Sequence, residues 1–109
     1  MGPLRNFKTE DSMGTYIGLI NYTDQGIRNI KDSPKRAEAG RKVIRDMGGD
    51  MTQLFLTMGS YDLIVILEAP SDEVIAQFVM TIGAQGNVRT TTLKAFTESE
   101  FGDIVAALP

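Results

Sequence analysis

The run Leu63-Ile64-Val65-Ile66-Leu67 is aliphatic at every position. In a strand, alternate side chains point to opposite faces, so Leu63, Val65 and Leu67 go one way and Ile64 and Ile66 the other. An antiparallel strand with one wet face alternates apolar with polar residues. This one predicts a sheet whose two faces are both at least partly covered. The run before it sorts the same way, with Leu54, Leu56 and Met58 on one side and Phe55 on the other. Met58-Gly59-Ser60 is short enough to close a hairpin between a strand over 51–58 and a strand over 61–69, which Pro70 ends.

The rest of the chain supplies partners for that hairpin. Residues 15–23, TYIGLINYT, are rich in β-formers and read as a first strand. A short helical turn is predicted around Gly26–Ile30. Ser33-Pro34 then reads as an N-cap with proline at the first helical position, opening a helix to about Met47 that Gly48-Gly49 stops. Ala37, Gly40, Val43, Ile44 and Met47 recur along one side of it. Ser71 caps a further helix, with Asp72 and Glu73 in its first turn and Val74, Ile75, Phe78, Val79 and Ile82 as its buried stripe. Residues 88–96 read as a fourth strand. Thr97-Glu98-Ser99-Glu100 resembles a capping box, with Phe96 and Phe101 placed as a staple, and opens a last helix through Ile104, Val105 and Leu108. The order is βαββαβ plus a C-terminal helix. It predicts an α+β, ferredoxin-like sandwich, with an antiparallel sheet and two helices on one face. Residues 1–12 show no periodicity and read as a disordered leader or tag ahead of a domain over 13–109.

Two helices cover only one face of such a sheet. The other apolar face would be a large exposed patch on a single chain, which soluble proteins rarely tolerate. The pattern therefore predicts a homodimer, with two sheets packed face to face. The competing expectation is a monomer whose C-terminal helix folds over the open face.

Composition narrows the chemistry. There is no cysteine and no histidine, so thiolate metal sites, the usual haem and zinc ligands and the commonest neutral-pH general base are all missing. No cofactor and no metal is expected. No run approaches the ~20 apolar residues of a membrane span, so no membrane partner and a cytoplasmic setting are expected. The net charge is −3, yet seven of the eleven basic residues fall within residues 28–45. That segment reads as a solvated helix face, or as a face for an anion or acidic partner. No nucleic-acid partner is expected, because the remainder is acidic and carries no aromatic RNA-binding pattern.

The stretch MGSYDLIVILEAPSDE resembles the signature of the GYD domain family, small bacterial and archaeal proteins named for a glycine-tyrosine-aspartate motif. The motif stands here as Gly59-Ser60-Tyr61-Asp62, with one residue inserted. YTDQGIRNIKDSPKR at 22–36 and GNVRTTTLKAFTESEF at 86–101 extend the resemblance over nearly all of 13–108. It implies a ferredoxin-like fold of the dimeric α/β-barrel type and no settled activity.

Asp62 and Glu68 mark the two ends of an apolar strip, roughly 20 Å apart along a strand. They are too far apart to act as a catalytic carboxylate pair within one subunit. Asp62 has two readings. It accepts backbone N–H groups at the hairpin or pairs with Arg36 or Arg89; or, with Tyr61, it borders a small-molecule pocket beside the uncovered sheet face. Glu68 reads as a strand-end ion-pair residue or a second border of that pocket. Ser33, Lys35 and Arg36 stand where a helix start can hold a phosphate or carboxylate. The first functional expectation is a homo-oligomeric binding or structural module with room for a small organic ligand. The alternative is a cofactor-free enzyme, of oxygenase or isomerase type, acting on a small apolar metabolite. In it Asp62 would be the base or an orienting acid, Tyr61 a hydrogen-bond donor, and Arg36 or Arg89 an anion anchor.

Overall fold

The structure is a computed structural model and describes residues 13–109; the expected leader or tag over 1–12 lies outside the described residues. Strand β1 (Gly14–Tyr22) leads into a short helix α1 (Asp24–Arg28) and a single 3₁₀ turn (Ile30–Asp32). The long helix α2 (Ser33–Asp46) follows, then the hairpin β2 (Asp50–Leu56) and β3 (Leu63–Ala69). Helix α3 (Asp72–Gly83), strand β4 (Val88–Ala95) and helix α4 (Glu98–Ala106) complete the chain. The strands form one sheet in the order β2-β3-β1-β4, antiparallel throughout. This is the α+β, ferredoxin-like arrangement that the order of elements predicts.

Burial follows the period-two logic of the inner strands. Tyr16 faces Leu67 and Gly18 faces Val65 on the side beneath α2 and α3. Ile44 from α2, Ile75 and Phe78 from α3, and Met51 from β2 complete that core. Thr52 is the extra residue of a bulge between Met51 and Gln53, and its hydroxyl donates to the Ile66 carbonyl. The bulge resets the alternation so that Met51 and Leu54 both face the core.

Three local expectations are corrected. Strand β3 starts at Leu63, not at residue 61, so Tyr61 and Asp62 belong to the turn. Strand β2 stops at Leu56, which leaves Met58 on the turn and almost wholly exposed. Gly59 at φ +121° opens the hairpin link in a conformation that a side chain would strain. Ser33 is not an N-cap. The 3₁₀ turn runs directly into α2, Asp32 takes the cap position without a side-chain bond, and the Ser33 hydroxyl bonds that of Tyr22 at 2.6 Å instead.

The caps of α3 and α4 are as the residues predict. Ser71 accepts from the Val74 amide, and Thr97 with Glu100 forms a complete capping box. Helix α4 closes neither face of the sheet. It makes no extensive contact with any other element, and Phe101, Ile104, Val105 and Leu108 all remain exposed.

Candidate functional site

The face of the sheet away from α2 and α3 is covered by no described element. The strand registers lay it out in rows. Gln53, Ile66, Ile17 and Leu93 form one row across β2, β3, β1 and β4. Phe55, Ile64, Leu19 and Thr91 form the next. These two rows put six large apolar side chains side by side. Phe55 is 50% exposed and Leu93 46% exposed, while the four between them are half-buried by their neighbours. A polar row closes each end. Asp50, Glu68 and Thr15 lie at one, and Asn21 and Arg89 at the other. The result is a contiguous apolar belt inside a polar frame.

The structure separates the predicted site residues instead of gathering them. Asp62 works at the hairpin. Its carboxylate accepts the Tyr22 amide at 2.9 Å, its own amide donates to the Ile20 carbonyl at 2.9 Å, and its carbonyl accepts from the Thr57 amide. The first two bonds fasten the hairpin link to the end of β1, and the third closes the link on itself. The Tyr61 carbonyl accepts the Thr57 hydroxyl at 2.6 Å in the same turn. Arg36 donates to the carbonyls of Asn29 and Gly26, at 2.9 and 3.3 Å, and so braces the connection before α2. Glu68 and Arg89 are exposed at opposite ends of the open face. Neither Arg36 nor Arg89 pairs with Asp62. Among the described residues no cluster of acidic side chains is arranged to hold a metal ion.

A second concavity lies on the other side of the sheet. Between the sheet and helices α2 and α3 is a cavity of about 80 Å³. Gly18 from β1 and Gly40 from α2 open its walls, and Val65, Phe78 and Ile82 line it. Gly18 is forced by close approach, since a Cβ there would sit 2.8 Å from Val65 Cγ2. Of the predicted site residues Arg36 borders this cavity; Tyr61, Asp62, Glu68 and Arg89 do not.

Sequence reasoning did not find one cluster. The ring of Tyr16 is buried in the core while its hydroxyl reaches the surface, donating to Asp72 Oδ1 at 2.5 Å. Lys94 Nζ donates to the same carboxylate oxygen at 3.1 Å and to the Tyr16 hydroxyl at 3.3 Å, and lies 4.7 Å from the centre of the Tyr16 ring. The bonds from Tyr16 and Lys94 hold the Asp72 carboxyl below the usual carboxylate range. Burial, together with the bond to Asp72, pushes the Tyr16 phenol up. The bonds to Asp72 and Tyr16 raise the Lys94 ammonium. The cluster ties β1, β4 and the start of α3 together. The signal in the sequence was a tyrosine on the core side of a strand, whose hydroxyl had to find a partner.

The basic stretch is largely engaged or solvated. Arg41 pairs with Glu38, Lys42 with Asp46 and Arg45 with Asp50, while Arg28, Lys31 and Lys35 stand exposed. Among the described residues no helix is long and apolar enough to cross a membrane.

Comparison with known proteins places this geometry. The model of the GYD domain matches residues 16–105. A curated protein of Thermus thermophilus, described as a glutamine synthetase and cystathionine beta-lyase binding protein, is 29% identical over 97 residues, spanning 88% of this chain and 99% of its own. A crystal structure of a protein from the same organism superposes with a TM-score of 0.51 at 24% identity, over 78% of this chain and 95% of that one, and shows the shared fold. With nine-tenths of the described chain inside the family match, and the hairpin motif at its centre, the protein belongs to the GYD domain family.

Proposed function

We propose that this chain is a protein-binding module that pairs with a second copy of itself through the open face of its sheet and engages metabolic enzymes in that form. The observation that carries the pairing is the belt of Ile17, Leu19, Phe55, Ile64, Ile66 and Leu93, left bare by every described element of the chain. Removing such a belt from water is the dominant favourable contribution to association. Helix α4 adds a second sticky element. It is nine residues long, too short to be a stable helix by itself, so its apolar side calls for a surface supplied by another chain. The partner class comes from the Thermus relative, whose description names glutamine synthetase and cystathionine beta-lyase as what it binds. A cytoplasmic setting fits partners of that kind.

The test uses purified proteins. Immobilised chain is exposed to glutamine synthetase and to cystathionine beta-lyase from its own host. Saturable binding of either, with a dissociation constant below about 100 µM, supports the reading. Absence of binding by both at that concentration contradicts the choice of partners.

The cavity beneath α2 and α3 favours a second reading, a site for a small organic ligand. Its apolar walls and the Arg36 guanidinium at its border suit a short apolar molecule with an anionic end. A cofactor-free oxygenase or isomerase would have to work in this cavity, with Arg36 as anchor and without Tyr61 or Asp62 at the reacting atoms. Thermal-shift titration with short-chain carboxylates tests it. A concentration-dependent rise in melting temperature that Arg36→Gln abolishes supports the ligand reading, and no rise with any member contradicts it.

A further inference from the structure

We infer that the second copy docks in a single register, fixed by two symmetry-related ion pairs, each joining Glu68 of one subunit to Arg89 of the other. The inference rests on the homodimer proposed above and adds how its two faces are aligned.

Glu68 lies on β3 opposite Thr15, and Arg89 lies on β4 opposite Asn21. Their strand neighbours Leu67 and Thr90 share registers with Tyr16 and Ile20 on the core side, so both charged side chains stand on the open face. Both are exposed, and neither takes part in any of the four ion pairs among the described residues. Six positions of β1 separate their levels, about 20 Å along the strand, and one strand spacing on either side of β1 adds about 10 Å across. They cannot reach each other within one chain.

Their placement has a symmetry consequence. The line joining them crosses β1 at its middle, between Ile17 and Leu19. A two-fold axis through that point, in the plane between two facing sheets and perpendicular to the line, exchanges the two positions. It sets Glu68 against the partner's Arg89 and Arg89 against the partner's Glu68, with the apolar rows meeting in between. This is the self-complementary pattern that an isologous interface requires.

The other charged groups at the two ends are already engaged. Asp50, beside Glu68, pairs with Arg45, and the Asp62 carboxylate holds the Tyr22 amide. An exposed ion pair adds little affinity. Here the pairs serve alignment, because any other overlap of the two belts strands one charge against apolar surface or sets like charges together.

Charge reversal tests this, with dimer dissociation measured by sedimentation equilibrium and folding checked by circular dichroism. Glu68→Arg and Arg89→Glu, taken singly, each raise the dissociation constant about tenfold or more, since every dimer carries the fault twice. An equimolar mixture of the two single variants forms a heterodimer in which both pairs are opposite in sign again, with affinity within about threefold of the unmodified chain. A chain carrying both reversals homodimerises equally well. An unmodified chain that dimerises while the single reversals leave its affinity unchanged overturns the register and leaves the dimer standing. The register falls equally if the mixture associates no more tightly than either single variant does by itself. An unmodified chain that stays monomeric at micromolar concentration removes the dimer and the register together.

Discussion

Asp62 holds a β-hairpin to the strand beside it through one carboxylate–amide bond and one backbone bond, and closes the hairpin link through a second backbone bond. Losing the side-chain acceptor leaves the Tyr22 amide without its partner. Asp62→Ala should therefore cost about 1 kcal/mol in urea unfolding, and Asp62→Asn less, because the amide oxygen can still accept. An unchanged unfolding midpoint for Asp62→Ala would contradict the hairpin role. The cluster of Tyr16, Asp72 and Lys94 makes stability depend on pH at both extremes. Asp72 titrates lower in the folded chain, so its contribution is present above the unfolded value of about 4 and fades as pH falls through the folded one. Tyr16 and Lys94 titrate higher in the folded chain. Their contributions are complete below unfolded values of about 10 and fade as pH rises through the folded ones. Urea midpoints followed from about pH 3 to pH 11 should show both limbs. Asp72→Asn should flatten the acid limb. Tyr16→Phe should flatten the alkaline limb and cost about 1 kcal/mol at neutral pH.

At the scale of elements, what could be read from the sequence tracks where local physics decides. The doubly aliphatic β3 announced itself, and so did the caps at Ser71 and Thr97, because each rests on a few neighbouring residues. The start of β3 did not, since Tyr61 has the composition of a strand residue, and the bonds from the Thr57 amide to the Asp62 carbonyl and from the Thr57 hydroxyl to the Tyr61 carbonyl hold it in the turn. Ser33 has the composition of a cap, but a 3₁₀ turn from the preceding residues takes over that job. The Tyr16–Asp72–Lys94 cluster joins residues up to 78 positions apart in sequence, and no local pattern reveals such a register. For the candidate site, alternation found the apolar belt but not its ends, because pairing Glu68 and Arg89 with β1 needs the strand order. Helix α4 offers a prediction of its own. Thr97→Ala removes half of its capping box and should lower the local stability of α4 by about 1 kcal/mol. Hydrogen exchange at the α4 amides should speed up while the unfolding midpoint of the sheet stays put. Equal exchange in both proteins would contradict the cap's importance.

On the scale of the whole molecule, one layer of helices and one layer of sheet leave a face that no described element covers. Sedimentation velocity over a dilution series into the low micromolar range tests the proposed pairing most directly. The expected result is one species of twice the 11.9 kDa chain mass, reduced to single chains when Ile66 on the open face is replaced by Lys. A stable species of 11.9 kDa for the unmodified chain across the series would contradict the pairing.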